Sequence, residues 1–200
     1  KWNKAGIIRR RRRGLYCDMW FLVDFGRGAK DNTTGKEKRM KYIERLLSNE
    51  HYQSLIQQLE NLEQERTFCK HGFEHSVDVA RIAYIMNLEM NFGQDKEELY
   101  LSALLHDIGR IEEYQCGMDH QKASEQVADK LLEEIDYPKE KKETILKRVR
   151  EHRHLSLEQH EITVDNFFWF ADKKARNCFL CKQQEECNWA KSKRTGTIKW

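Results

Sequence analysis

Four histidines and two aspartates fall where a helical protein would bury them. His75 is followed by Val79, Ile82 and Met86 at offsets of four, seven and eleven, so it shares an apolar helical stripe. His120 heads a stripe through Ser124, Val127 and Leu131, and His152 lies seven residues after Ile145 and three after Val149. Asp172 follows Phe168 and Trp169 by four and three residues. The His106-Asp107 pair ends a very apolar segment, Leu99 to Leu105, and runs straight into Ile108-Gly109-Arg110. His154, nine residues beyond Ile145, is out of phase by the ~100° helical step and should face solvent. A lone core histidine is usually just hydrogen-bonded; six ligand-type side chains pointing inward from five helices ask for more. Buried carboxylates need a cation, and imidazole with carboxylate suits a divalent transition metal or Mg²⁺. Helical bundles build such sites from inward side chains on facing helices.

A second set of ligand-type residues lies at the C-terminus. Cys178, Cys181 and Cys187 form C-x-x-C-x5-C, closed by Asn188-Trp189. A C-x-x-C pair can chelate one metal tetrahedrally with Cys187 as third ligand, and a structural Zn²⁺ joining the tail to the domain is the expectation. The local motif lacks a fourth ligand, which either Cys116 or Cys69 could supply in three dimensions. An iron–sulfur cluster has no matching spacing, and a set of free thiols is the plain alternative.

The elements that must carry these groups read as helices. Met40 to about Arg66 is one or two helices broken near Ser48-Asn49. Further helices are expected at about Glu74–Met90 with a stop near Gly93, Lys96–His106, His120–Ile135, from Pro138 through His152, and roughly Leu157–Arg176. No convincing run of strands appears, so the expected fold is all-α, a compact bundle of about six helices. The chain has 200 residues, 34% of them charged, enough for one domain and a tail. No stretch approaches the ~20 apolar residues of a membrane span. Six cysteines in so large and charged a chain, without a signal peptide, point to a reducing, cytoplasmic setting.

The net charge of +3 is unevenly spread. Residues 1–39 hold 12 Lys/Arg against 4 Asp/Glu, a net of +8, leaving −5 for residues 40–200. Gly35 to Met40 could be encoded by purine-rich codons ahead of an ATG, as a translated ribosome-binding site would read. The expectation is a natural start at Met40, residues 1–39 being leader; the alternative is a genuine disordered basic arm. The organisation is then 1–39 basic leader, 40–176 helical domain and 177–200 cysteine-containing tail.

His75, the His106-Asp107 doublet with Ile108-Gly109-Arg110, and the late Asp172 in Ala171-Asp172-Lys173 resemble the HD domain superfamily of metal-dependent phosphohydrolases, in particular small bacterial members with a cysteine-containing tail. The opening His75-Ser76 followed by Val79-Ala80 also fits. The likeness covers about Cys69 to Arg176. It implies that His75, His106, Asp107 and Asp172 hold a divalent metal. His120 and His152 match the two further histidines of a two-metal subgroup. His71, His154, His160 and Asp165 are weaker substitutes, Asp165 being seven residues before Asp172 and so expected on the same face. The implied reaction is hydrolysis of a nucleotide or other phosphate ester by metal-activated water, with one or two ions drawn from Mn, Fe, Co, Ni or Mg. Within the catalytic set of His106, Asp107 and Arg110, the arginine is a candidate phosphate contact.

Two other classes compete with an enzyme. One is a nucleic-acid-associated protein using the basic arm and the cysteines; the acidic balance from Met40 onward argues against it unless residues 1–39 are genuine. The other is a non-catalytic, metal-binding regulatory module. The expected partner is a phosphorylated small molecule, a nucleotide by preference, with no membrane.

Overall fold

In the computed structural model, residues 39–153 and 161–200 are described, and all of their regular structure is helical. The first expected break is real: α1 (Lys41–Leu47) stops at Ser48, and α2 (Glu50–Leu62) starts where the Asn49 side chain accepts from the Tyr52 N–H at 2.8 Å. Then come α3 (Phe73–Glu89), α4 (Lys96–Leu105), α5 (Arg110–Cys116), α6 (His120–Glu134), α7 (Lys139–Glu151) and α8 (Phe167–Lys174). Short 3₁₀ turns at Cys178–Leu180 and Lys191–Lys193 follow. The reversal after α3 uses Asn91 and Gly93, both at positive φ, and α4 opens where the Asp95 carboxylate accepts from the N–H groups of Glu97 and Glu98.

The architecture follows from α4, whose residues are apolar on nearly every side, as a helix buried all round requires. One side carries Leu101, Leu104 and Leu105 into a core with Leu46, Tyr52, Leu131, Ile145 and Val149, from α1, α2, α6 and α7. The other carries Leu99 and Ala103 into a second core with Val79, Ala83 and Met86 of α3 and Phe167, Phe168 and Ala171 of α8. The C-terminal end of α4 therefore delivers His106 and Asp107 to the middle of the molecule.

Two expectations need correction. The short helix α5 was not anticipated: it has seven residues, and Ile111 is its one buried position, too little for a periodic signal. The last helix is also shorter than the expected 157–176, since α8 begins at Phe167. Before it, the Asn166 side chain accepts from the Thr163 N–H at 2.8 Å and donates to the Glu161 carbonyl at 2.9 Å. That local bonding favours a turn over a helix. Asp165 lies in this turn and is exposed, so it does not share a face with Asp172. His154 and His160 lie outside the described residues, as do residues 1–38 with the basic arginine run. No described helix is long and apolar enough to cross a membrane.

Candidate metal centre

The six ligand-type side chains singled out in the sequence meet in one buried place. His75 comes from α3, His106 and Asp107 from the end of α4, His120 from the first turn of α6, His152 from the end of α7 and Asp172 from α8. Two groups have all their ligand atoms within 4.8 Å of one another: His75, His106, Asp107 and Asp172, and Asp107, His120 and His152. Asp107 belongs to both, one oxygen to each. Its Oδ2 lies 3.1 Å from His106 Nε2 and 3.8 Å from His75 Nε2. Its Oδ1 lies 3.6 Å from His152 Nε2 and 3.7 Å from His120 Nε2. Asp172 Oδ1 closes the first group, 3.1 Å from His75 Nε2 and 3.9 Å from His106 Nε2. Donors that each stand about 2.1 Å from one ion are roughly 3–4 Å apart, so these spacings suit a metal.

Hydrogen bonds aim the imidazoles. His106 Nδ1 lies 2.7 Å from the Ala103 carbonyl and His152 Nδ1 lies 2.6 Å from that of Val149. A carbonyl only accepts, so both Nδ1 atoms carry the hydrogen and both Nε2 atoms point a lone pair into the site when the rings are neutral. His106 Nε2 is buried with no hydrogen-bond partner. His152 Nε2 faces His120 Nε2 at 3.3 Å, close enough for a proton or a metal to lie between them. His120 Nδ1 lies 3.3 Å from a Glu113 oxygen and 3.3 Å from an Arg153 nitrogen.

The electrostatics ask for a cation. Burial works against the charge on Asp107, yet His106 and Arg110 hold its carboxyl well below the usual range. Asp172 is likewise held low against burial, by Lys173 and His75. Burial, with Arg176 beside it, pushes His75 down to about 3, and burial with Arg110 pushes His120 down to about 4. Burial also opposes charge on His106, but the carboxylates of Asp107 and Asp172 outweigh it and raise its pKa. Ionised carboxylates beside the neutral imidazoles of His75 and His120 form a donor set suited to a divalent metal. The unpartnered His106 Nε2 and the two buried carboxylates make the residues fit one.

Arg110 is neither solvated nor swung free. It opens α5 and its side chain, 11% exposed, bonds Asp107 Oδ1 at 3.0 Å and Glu113 at 2.8 Å. Of the weaker substitutes, His71 is buried at the edge of the site rather than in either ligand group. The Glu63 carboxylate accepts from the His71 backbone N–H and from the Tyr114 hydroxyl, and it meets His71 Nδ1. Glu63, Tyr114 and Glu113 are the functional neighbours that sequence reasoning missed. Tyr114 and Glu113 lie on the unanticipated α5, and Glu63 carried no signal beyond its place in a helix.

Glu63 sets up a pH-dependent prediction. Burial alone would raise its pKa, but the bonds from His71 and Tyr114 lower it from 4.5 to about 2. A depressed carboxyl contributes stability that is present above the unfolded value and lost as pH falls through the folded one. Stability should therefore fall between pH 4.5 and 2, with Glu63 supplying up to about 3 kcal/mol of that loss. Glu63→Gln should be less stable at neutral pH and show a flatter acid limb in urea midpoints measured across this range. Parallel curves for the two proteins would rule out this role for Glu63.

The HD domain family model matches residues 72–178, more than half of the chain. The chain belongs to the HD domain family. HD domains are generally metal-dependent hydrolases, and the family resemblance seen in the sequence is thereby shown. A protein of Clostridium beijerinckii (strain ATCC 51743 / NCIMB 8052), itself uncharacterised, is 35% identical over 153 residues. The alignment covers 76% of this HD protein and 95% of the relative. No solved structure matches the chain.

Proposed function

We propose that this HD protein is a cytoplasmic phosphohydrolase that hydrolyses a phosphate ester of a small molecule, a nucleotide by preference, with water as nucleophile. The observation that carries the reading is the Asp107 carboxylate, each of whose oxygens faces a different buried group of ligand atoms. His75, His106, Asp107 and Asp172 would hold one divalent ion and Asp107, His120 and His152 a second. Ions bound there supply a water whose pKa is lowered from 15.7 to roughly 7, and positive charge for the phosphoryl oxygens.

The remaining work belongs to the chain. Arg110 holds Asp107 Oδ1 and so fixes how the carboxylate divides between the two groups, which makes it a positioning residue. It also brings a buried positive charge to the edge of the site, where a phosphate would sit. The carbonyls of Ala103 and Val149 keep His106 and His152 in the tautomer that presents Nε2. Asp172 is held from its other oxygen by Lys173 Nζ. The five unbridged cysteines among the described residues accord with a reducing compartment.

The test is a panel of nucleotides and generic phosphate esters, run on chelated protein with Mn²⁺, Co²⁺, Ni²⁺, Fe²⁺ or Mg²⁺ restored singly. Phosphate release that requires the metal is expected. Folded, metal-loaded protein that turns over nothing on the panel would overturn the reading in favour of a metal-binding regulatory module.

A further inference from the structure

The C-terminal cysteines are not used by the reading above, and the fold gives them a fourth companion. Arg176 Nη1 donates to the Lys70 carbonyl, joining residues 106 apart in the chain. The Cys178 N–H bonds the Arg176 carbonyl at 2.9 Å and the Cys181 N–H bonds the Cys178 carbonyl at 3.1 Å, which turns the C-x-x-C back on itself. Arg194 then gathers the rest of the loop, donating to the carbonyls of Gln184, Cys187 and Trp189 at 2.6, 2.7 and 2.9 Å. The groups close enough to perturb the Cys69 thiol, which burial raises, include Arg176 and the thiols of Cys178, Cys181 and Cys187. The other candidate, Cys116, is exposed at the end of α5, where its thiol donates to the Glu112 carbonyl.

An independent observation is a buried guanidinium that lies near both the cysteines and His75. Arg176 is 8% exposed, its Nε has no hydrogen-bond partner, and no carboxylate pairs with it among the described residues. A buried charge without a counter-charge is strongly penalised. Four thiolates around one Zn²⁺ carry a net charge of −2 and would supply that counter-charge.

We propose that Cys69, Cys178, Cys181 and Cys187 form a tetrathiolate Zn²⁺ site that pins the C-terminal tail to the loop before α3, with Arg176 as its buried counter-ion. Among the described residues the His/Asp groups alone meet the 4.8 Å mutual spacing. Sulfurs around one zinc stand about 3.8 Å apart, at about 2.3 Å from the ion, so binding would require the four thiols to close up on it. The site ties the chain just before His75 to the chain just after Asp172. It thereby braces the α3–α8 contact that places those two ligands together.

The experiment loads the full chain with Zn²⁺ or with Co²⁺. A sulfur-to-cobalt charge-transfer band in the near ultraviolet is expected in the wild type, in Cys116→Ser and in Asp107→Ala, because His/Asp ligation does not produce it. Cys69→Ser should lose at least about tenfold in affinity for the ion giving that band, since one of four ligands is gone. In case that variant does not fold, iodoacetamide labelling of the wild type gives a second reading. Zn²⁺ should protect Cys69, Cys178, Cys181 and Cys187 but not Cys116, and chelation should expose all of them. The proposal is overturned if Cys69 is labelled as fast as Cys116 in zinc-loaded protein. It is equally overturned if Cys69→Ser keeps the wild-type band, or if the tail cysteines are found in a disulfide in the native chain. None of these outcomes depends on phosphate hydrolysis.

Discussion

Asp107→Ala should lower metal-dependent phosphate release by at least about 10³-fold and empty both ligand groups at once. Asp107 is the one residue common to the two groups, with an oxygen within 3.8 Å of each of the four histidine Nε2 atoms. Removing it leaves the first group a single carboxylate and the second group none. Histidines alone bind hard divalent ions poorly, so Mg²⁺ and Mn²⁺ should be lost most completely. The contrast with His120→Ala makes the prediction specific. That variant should lose the second ion and keep the first, because His75, His106, Asp107 and Asp172 remain together. Metal content by elemental analysis, with circular dichroism to show that the helices persist, separates the two cases. Equal metal loss in Asp107→Ala and His120→Ala would contradict a shared carboxylate, as would full activity in either. Zinc bound by the cysteines should survive both substitutions, so metal counts must be compared with those of Cys69→Ser.

Gly109→Ala is expected to cost about 3 kcal/mol or more, in the upper range of core overpacking, and to disturb the second ligand group without touching a ligand. The reason is a close approach of two helices rather than an unusual backbone angle. A Cβ on Gly109 would stand 2.1 Å from the Ser124 nitrogen, 2.5 Å from the Ala123 carbonyl carbon and 2.7 Å from the Ala123 Cβ. Two of those atoms are backbone of α6, so no side-chain rotation relieves the clash. The buried Gly109 N–H also donates to Ser124 Oγ at 2.9 Å, and separating the helices strands it. His120 opens α6 and Arg110 opens α5, so parting them moves the second group and the clamp on Asp107 together. Urea unfolding should show a lower midpoint, and equilibrium binding should show weaker retention of the second ion. A Gly109→Ala protein with the wild-type midpoint and metal content would mean that α5 and α6 can part without consequence.

Helical phase is local information, and it was enough to read most of the centre from the sequence. His75, His120 and His152 share their helices with regularly spaced apolar residues, so burial of the stripe carries the ligands inward with it. The break near Ser48-Asn49 and the helix start at about Lys96 were equally legible, and in the structure each start is held by a side chain that accepts from N–H groups two or three residues on. Phase fails where the helix is not long enough to have one. Seven-residue α5 with one buried position hid Glu113 and Tyr114, and the turn at 163–166 broke the register that had put Asp165 beside Asp172.

What the tertiary structure decided is everything that depends on residues far apart in the chain. The division of Asp107 between two groups arises because α4 lies in both hydrophobic cores, bringing α3 and α8 to one side of its end and α6 and α7 to the other. Periodicity within α4 says that it is buried all round; it does not say which helices surround it. The proposal of Cys69 over Cys116 as zinc ligand rests on information of the same kind. Nothing in the spacing of the cysteines distinguishes them, and the bond from Arg176 to the Lys70 carbonyl, which favours Cys69, is seen only in the fold. Burial pattern is written along each helix, whereas the partners that complete a site are set by packing between helices.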